Sequence, residues 1–162
     1  MTDLHKILQL LAKGEVRFVI VGGVAASAHG SSYATFDLDL CYSREAANLS
    51  RVASTLAPYH PRLRGAPVGL PFLWDAQTLK QGLNFTLSTD LGDLNLLGKI
   101  SGVGDFELAK KASVQMRLFG LECDVLSLDA LIAAKRASGR PKDLLVLPEL
   151  EALREALRGE KN

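Results

Sequence analysis

The residues Asp37-Leu38-Asp39-Leu40-Cys41 alternate polar and apolar side chains. This is the period of a half-buried strand, so Asp37 and Asp39 share one face while Leu38 and Leu40 share the other. Two carboxylates side by side on a rigid strand repel each other. A fold that keeps them has to bury the leucine face and bring positive charge to the acidic one. Hard oxygen ligands so arranged suit Mg²⁺ or Mn²⁺ carrying the phosphates of a nucleotide. Solvated strand faces also produce Asp-x-Asp, so the elements around the pair decide its meaning.

Upstream, Leu4, Ile7, Leu8 and Leu11 form one helical stripe over residues 3–13, closed by Gly14. Phe18 to Val21 is a short β-branched run that stops at Gly22-Gly23, and residues 24–29 are small and helix-competent. Glycine at a strand–helix turn lets the backbone approach a phosphate, and the helix start offers free N–H groups, so Gly22, Gly23 and Ser27 are candidate phosphate contacts. Downstream, residues 44–56 return to a helical pattern. Four prolines and two glycines between Pro58 and Pro71 mark a loop at the edge of a site. Residues 83–88 and 91–97 read as neighbouring strands, 105–112 as a helix, 114–119 and 121–125 as a hairpin about Gly120, and 128–137 as a helix. Gly139-Arg140-Pro141 breaks that helix, and Pro141 opens a last one running to about Leu157. The expectation is an α/β (α+β) chain with helices packed on a mixed sheet, a single domain over residues 1–162.

With 162 residues, 48% of them hydrophobic and 23% charged, the chain has the balance of one globular domain. No apolar run reaches the roughly 18 residues that span a bilayer, and the first residues lack a signal-peptide core, which predicts a cytoplasmic protein without membrane contact. Cys41 and Cys123 stand alone in apolar runs, which argues against zinc and for reduced, buried thiols. A net charge of +1 leaves nucleic acid open, since phosphate binding rests on local patches. The richest basic cluster is Lys135, Arg136, Arg140 and Lys142. His29 at a helix end and Trp74 beside Phe72 and Leu73 read as structural and core residues. Glu149 and its charged neighbours read as a solvated helix face.

Val19-Ile-Val-Gly-Gly23, followed after about a dozen residues by Thr35-Phe-Asp37-Leu-Asp39-Leu, resembles the signature of the polymerase-β-type nucleotidyltransferase superfamily. Lys135-Arg-Ala-Ser-Gly-Arg-Pro-Lys-Asp143 is similar to the small bacterial branch that includes AbiEii-type toxins of toxin–antitoxin systems. With Gly92-Asp-Leu-Asn-Leu-Leu97 and Ile100-Ser-Gly-Val103, the resemblance covers about residues 16–150. It implies the nucleotidyltransferase fold and transfer of a nucleoside monophosphate from an NTP to a hydroxyl. Asp37 and Asp39 would then hold one or two Mg²⁺ or Mn²⁺ ions, and Gly22, Gly23, Ser27 and Thr35 would seat the nucleotide. Lys135, Arg140 and Lys142 would neutralise its phosphates. It also implies an acceptor hydroxyl on RNA, with tRNA the leading expectation, on a protein or on a small molecule, and a cognate antitoxin.

Two positions depart from that pattern. Asn95 stands where the family carries a third acidic residue, and an amide cannot accept the acceptor's proton as a general base. Asp93 lies two residues earlier on the same strand face and is the candidate substitute. Tyr33 stands where related sequences commonly carry arginine. These departures define the alternative reading, a catalytically silent domain of the same fold that binds a nucleotide or a partner protein.

Overall fold

The strand carrying the acidic pair is central to the sheet. In the computed structural model, which describes residues 2–67 and 69–161, α1 (Leu4–Lys13) leads into β1 (Phe18–Val21), α2 (Gly22–Ala28) and β2 (Asp37–Tyr42). Then come α3 (Ala46–Leu56), β3 (Arg62–Leu63), α4 (Ala76–Gln81), β4 (Phe85–Thr89) and β5 (Gly92–Leu97). A short pair, β6 (Lys99–Ile100) and β7 (Gly104–Asp105), precedes α5 (Phe106–Lys111). The hairpin β8 (Ser113–Leu118) and β9 (Leu121–Leu126) is followed by α6 (Leu128–Ser138) and α7 (Pro141–Lys161).

Seven strands form one sheet in the order β3-β4-β5-β2-β1-β9-β8. β2–β5 and β1–β9 pair parallel, and the remaining neighbours pair antiparallel. The sheet is therefore mixed, as the alternation of helical and strand patterns implies. Leu38 and Leu40 on β2 and Leu94 and Leu96 on β5 are almost wholly buried, in one cluster with Ile7, Leu8 and Leu11 of α1 and Leu49, Val52 and Leu56 of α3. Each leucine contributes about 1.5–3 kcal/mol by burial. A register slip of one residue would exchange those leucines for Asp37 and Asp39, so the core itself fixes where the carboxylates point.

Local chemistry sets the helix ends. Asp3, Asp75, Asp105 and Ser127 each accept a hydrogen bond from a backbone N–H in the first turn of α1, α4, α5 and α6. Gly139, in the left-handed region at φ 62°, ends α6 and turns the chain into Pro141 at the start of α7. α2 begins at Gly22 itself, so the glycine pair forms its first turn rather than a separate turn ahead of it. The proline-rich stretch pairs briefly with β4 through Arg62 and Leu63, and Val68 within it lies outside the described residues. Among the described residues, no helix is long and apolar enough to cross a membrane.

Candidate active site

Parallel pairing of β2 with β5 sets Asp37 beside Asp93 and Asp39 beside Asn95. Antiparallel pairing adds Ser88 opposite Asp93 and Thr86 opposite Asn95 on β4. Alternation then gathers these six polar side chains on one face of three adjacent strands. The Asn95 amide nitrogen donates to Asp37 Oδ2 at 2.9 Å and to Asp39 Oδ1 at 2.7 Å. The two carboxylates therefore converge on one point. Burial pushes the Asp39 carboxyl above its usual range and the Asp37 charge adds to this, against the Asn95 hydrogen bond and the positive charges of Lys135 and Lys142.

The glycine pair makes room for this cluster. A Cβ on Gly22 would lie 2.2 Å from Asp39 Oδ2, and φ at Gly22 is +65°. A Cβ on Gly23 would lie 2.7 Å from the Thr35 hydroxyl oxygen. The missing side chains thus admit Asp39 and Thr35 against the start of α2. Thr35 Oγ1 in turn donates to the Asp37 backbone carbonyl at 3.2 Å, bracing the entry to β2.

Positive charge arrives from the far end of the chain. Asp143 on α7 is fully buried and accepts from Lys135 Nζ at 3.2 Å and from Arg140 Nε at 2.7 Å. Burial raises its carboxyl, but the Arg140 and Lys135 hydrogen bonds outweigh this and hold it below the usual range. Asp143 thereby anchors both cations from behind, while Lys142 is exposed. Between this cationic rim and the sheet lies a cavity of about 530 Å³, lined by Gly23, Thr35, Asp37, Asp39, Asn95, Lys135, Arg140 and Lys142, with Tyr33, Leu145, Val146 and Leu150 at its apolar end. That size and mixture suit a nucleotide-sized ligand.

The candidate residues from the sequence therefore meet, with two qualifications. Ser27 is exposed on α2 and does not line the cavity. Asp93 sits at the Asp37 level, where Ser88 Oγ donates to it at 3.3 Å and Arg64 Nε approaches to 3.4 Å. Three contributors have no role legible in the sequence: Arg64 and Glu149 lie outside any motif, and Asp143 closes the stretch 135–143. Arg64, from the proline-rich loop, donates to Asn95 Oδ1 at 3.1 Å and to the Leu87 carbonyl at 2.6 Å. Asp143 ends the basic run that its own carboxylate organises. Glu149 on α7 takes hydrogen bonds from the Ser31 and Ser32 hydroxyls, which hold its carboxyl below the usual range and pin the loop before β2. His29 contacts the Leu126 carbonyl at 2.9 Å and Trp74 donates to the Ala53 carbonyl at 2.9 Å, so both serve the framework.

No family model and no curated protein matches the sequence. Solved structures match the fold. The lincosamide antibiotic adenylyltransferase LnuA in its lincomycin-bound form aligns with TM-score 0.61 at 14% identity, over 94% of this chain and 98% of its own. The fold is that of the nucleotidyltransferases. ANT(2")-Ia, solved in complex with adenylyl-2"-tobramycin, aligns with TM-score 0.58 at 16% identity, over 98% and 97% of the two chains. A Thermotoga maritima protein proposed to be a nucleotidyltransferase aligns with TM-score 0.50 at 16% identity, over 98% and 96%.

The fold family implies a divalent cation. Asp37 Oδ2 and Asp39 Oδ1 already converge on one hydrogen-bond donor, so these hard oxygens fit one such ion. Among the described residues no third His, Cys, Asp or Glu joins them closely enough to complete a metal-binding group, because the third position is Asn95.

Proposed function

We propose that this nucleotidyltransferase-fold chain binds an NTP with a divalent cation and transfers its nucleoside monophosphate to a hydroxyl. The observation that carries the reading is the convergence of Asp37 and Asp39 beneath a cavity rimmed by Lys135, Arg140 and Lys142. Carboxylates below and cations above form the charge arrangement that a metal-bound triphosphate requires. Asp37 and Asp39 would hold Mg²⁺ or Mn²⁺, which when bound supplies charge neutralisation to the phosphates. Lys135 and Arg140, fixed by Asp143, grip the non-transferred phosphates, with Lys142 beside them. Tyr33, Val146 and Leu150 offer the apolar end to the base.

In the transfer, the acceptor oxygen bonds to the α-phosphorus. The bond from that phosphorus to the bridging oxygen breaks, and pyrophosphate leaves with the electron pair. The hydroxyl proton passes to water, since the Asn95 amide accepts none and Asp93 is engaged by Arg64 and Ser88. The acceptor we favour is a small hydroxyl-bearing molecule, because LnuA and ANT(2")-Ia, which share the fold over nearly the whole chain, carry lincomycin and adenylylated tobramycin. The tRNA, protein-acceptor and antitoxin partners implied by the toxin resemblance are rivals within the same assay. That assay follows α-labelled NTPs with Mg²⁺ or Mn²⁺ onto aminoglycosides, lincosamides, total RNA and total protein, with Asp37→Asn as control. Label on a small molecule, lost in Asp37→Asn, supports the reading, whereas label on RNA or protein alone refutes the acceptor class.

A second reading is favoured by Asn95 itself: a silent domain that binds nucleotide without transferring it. Wild-type turnover separates the two, and Asn95→Asp then measures what the missing base costs. Restoring a general base to a slow transferase raises its rate by roughly 10²-fold or more. A silent domain of this kind instead shows no transfer before the change.

A further inference from the structure

Arg64 is the cation within the carboxylate cluster, and the nucleotidyl-transfer reading uses it only to engage Asp93. Its side chain is 29% exposed and crosses from the proline-rich loop onto the polar face of β2 and β5. Nε lies 3.4 Å from Asp93 Oδ1, Nη1 lies 3.9 Å from Asp37 Oδ2, and Nη2 donates to Asn95 Oδ1 at 3.1 Å. The Leu87 carbonyl accepts from Nη2 at 2.6 Å and fixes the fork on β4. Nε is buried and has no formed hydrogen bond, so the guanidinium is held by its charge partners rather than by a complete set of acceptors.

This placement sets the orientation of Asn95. Its oxygen faces a cation and its nitrogen faces two anions, at 2.7 and 2.9 Å. Flipping the amide would set nitrogen against guanidinium and oxygen against both carboxylates, so each contact would turn repulsive. While Arg64 stays, the amide is held with its donor side toward Asp37 and Asp39. Charge points the same way: Arg64 is the counter-charge that lies against Asp37 and Asp93 on the sheet, while Lys135 and Lys142 act on Asp39 from the rim.

We propose that Arg64, acting with Asn95, stands in for a second divalent cation and limits this site to one metal ion held by Asp37 and Asp39. The inference rests on the metal–nucleotide reading above and makes Arg64 a positioning and counter-charge residue. Arg64 and the incoming ion repel each other across the shared Asp37 carboxylate, so metal affinity is lowered for as long as the guanidinium is present. Removing it strengthens ion binding by roughly tenfold or more, and the freed Asp93 and Asn95 oxygen become available to a second ion.

The test is Mn²⁺ titration of the nucleotide-free protein, following free Mn²⁺ by electron paramagnetic resonance. Wild type is expected to bind one Mn²⁺, and a count of two overturns the proposal without recourse to any variant. Arg64→Gln is expected to bind Mn²⁺ at least about tenfold tighter, with Asp37→Asn in the same background cancelling the gain. Equal or weaker binding by Arg64→Gln, with circular dichroism unchanged, also overturns it. Arg64→Lys keeps the charge and should stay close to wild type. Failure of the protein to bind an NTP would defeat the functional reading and leave these titrations unmoved, so the two failures are distinguishable.

Discussion

Asp143→Asn is the sharpest probe of how α6 and α7 serve the site. The substitution keeps the shape of a fully buried side chain and removes its charge, leaving Lys135, 24% exposed, without its counter-ion. Breaking a buried pair by removing one partner costs about 3–5 kcal/mol. Arg140, at 58% exposure, returns to water at little cost, and the new amide oxygen still accepts one hydrogen bond, so the expected loss is about 2–3 kcal/mol. For a chain of this size that is a fall of roughly 5–10 °C in Tm. The Asp143 carboxyl sits below its usual range when folded, so its contribution is complete above the ordinary value of 3.8. It is lost as pH falls through the lower folded value. Urea denaturation of wild type and variant should therefore differ by a constant amount from pH 7 to about pH 4 and converge below that. A difference under about 0.5 kcal/mol at pH 7, or one that does not shrink in acid, would refute the claim that this carboxylate anchors Lys135 and Arg140.

Further outcomes follow from the same geometry. Gly22→Ala places a methyl 2.2 Å from Asp39 Oδ2 at a φ of +65°, so it should cost about 1–2 kcal/mol from backbone strain alone and abolish Mn²⁺ binding, checked by thermal melts and metal titration. Asp39→Asn should raise Tm at pH 7 while removing metal affinity, because burial disfavours the charged carboxylate in the folded state. That gain should vanish as pH falls and the wild-type carboxyl takes up its proton. Glu149→Gln should speed proteolysis within residues 31–36 with little change in Tm, since the Ser31 and Ser32 hydroxyls lose their charged acceptor. Trp74→Phe should lower stability by about 1 kcal/mol through the lost bond to the Ala53 carbonyl and leave nucleotide affinity unchanged.

The parts of the molecule that were legible in the sequence are those in which local period and global fold agree. The Asp37 to Cys41 alternation, the stripe of α1 and the Gly139-Arg140-Pro141 break each dictate a local structure that burial then reinforces. Of the short elements that escaped, α4, β3, β6 and β7, the first two show the physical reason. α4 is under two turns long with only Leu79 buried, too short for a helical period to register, although Asp75 before it is a sound N-cap. β3 has two residues and exists by pairing with β4, so its cause lies elsewhere in the chain. The same logic divides the site. Asp37, Asp39 and Asn95 sit on strands whose periodicity assigns their face, whereas Arg64 reaches the cluster from a loop whose path no periodicity encodes. Asp143 looked like one charge in a basic run because its burial is a product of how α7 packs. Glu149 looked solvated because its partners, Ser31 and Ser32, are more than a hundred residues away.

The central claim is that Asp37, Asp39 and the Lys135, Arg140 and Lys142 rim together form a metal-dependent nucleotide site. Titration calorimetry with non-hydrolysable analogues of the four NTPs, with Mg²⁺ or with chelator, tests it without requiring turnover. The account predicts binding of at least one analogue that needs the metal, and loss of that binding in Asp37→Asn and Asp39→Asn. Binding of no analogue, or binding indifferent to both the metal and the two carboxylates, would contradict it.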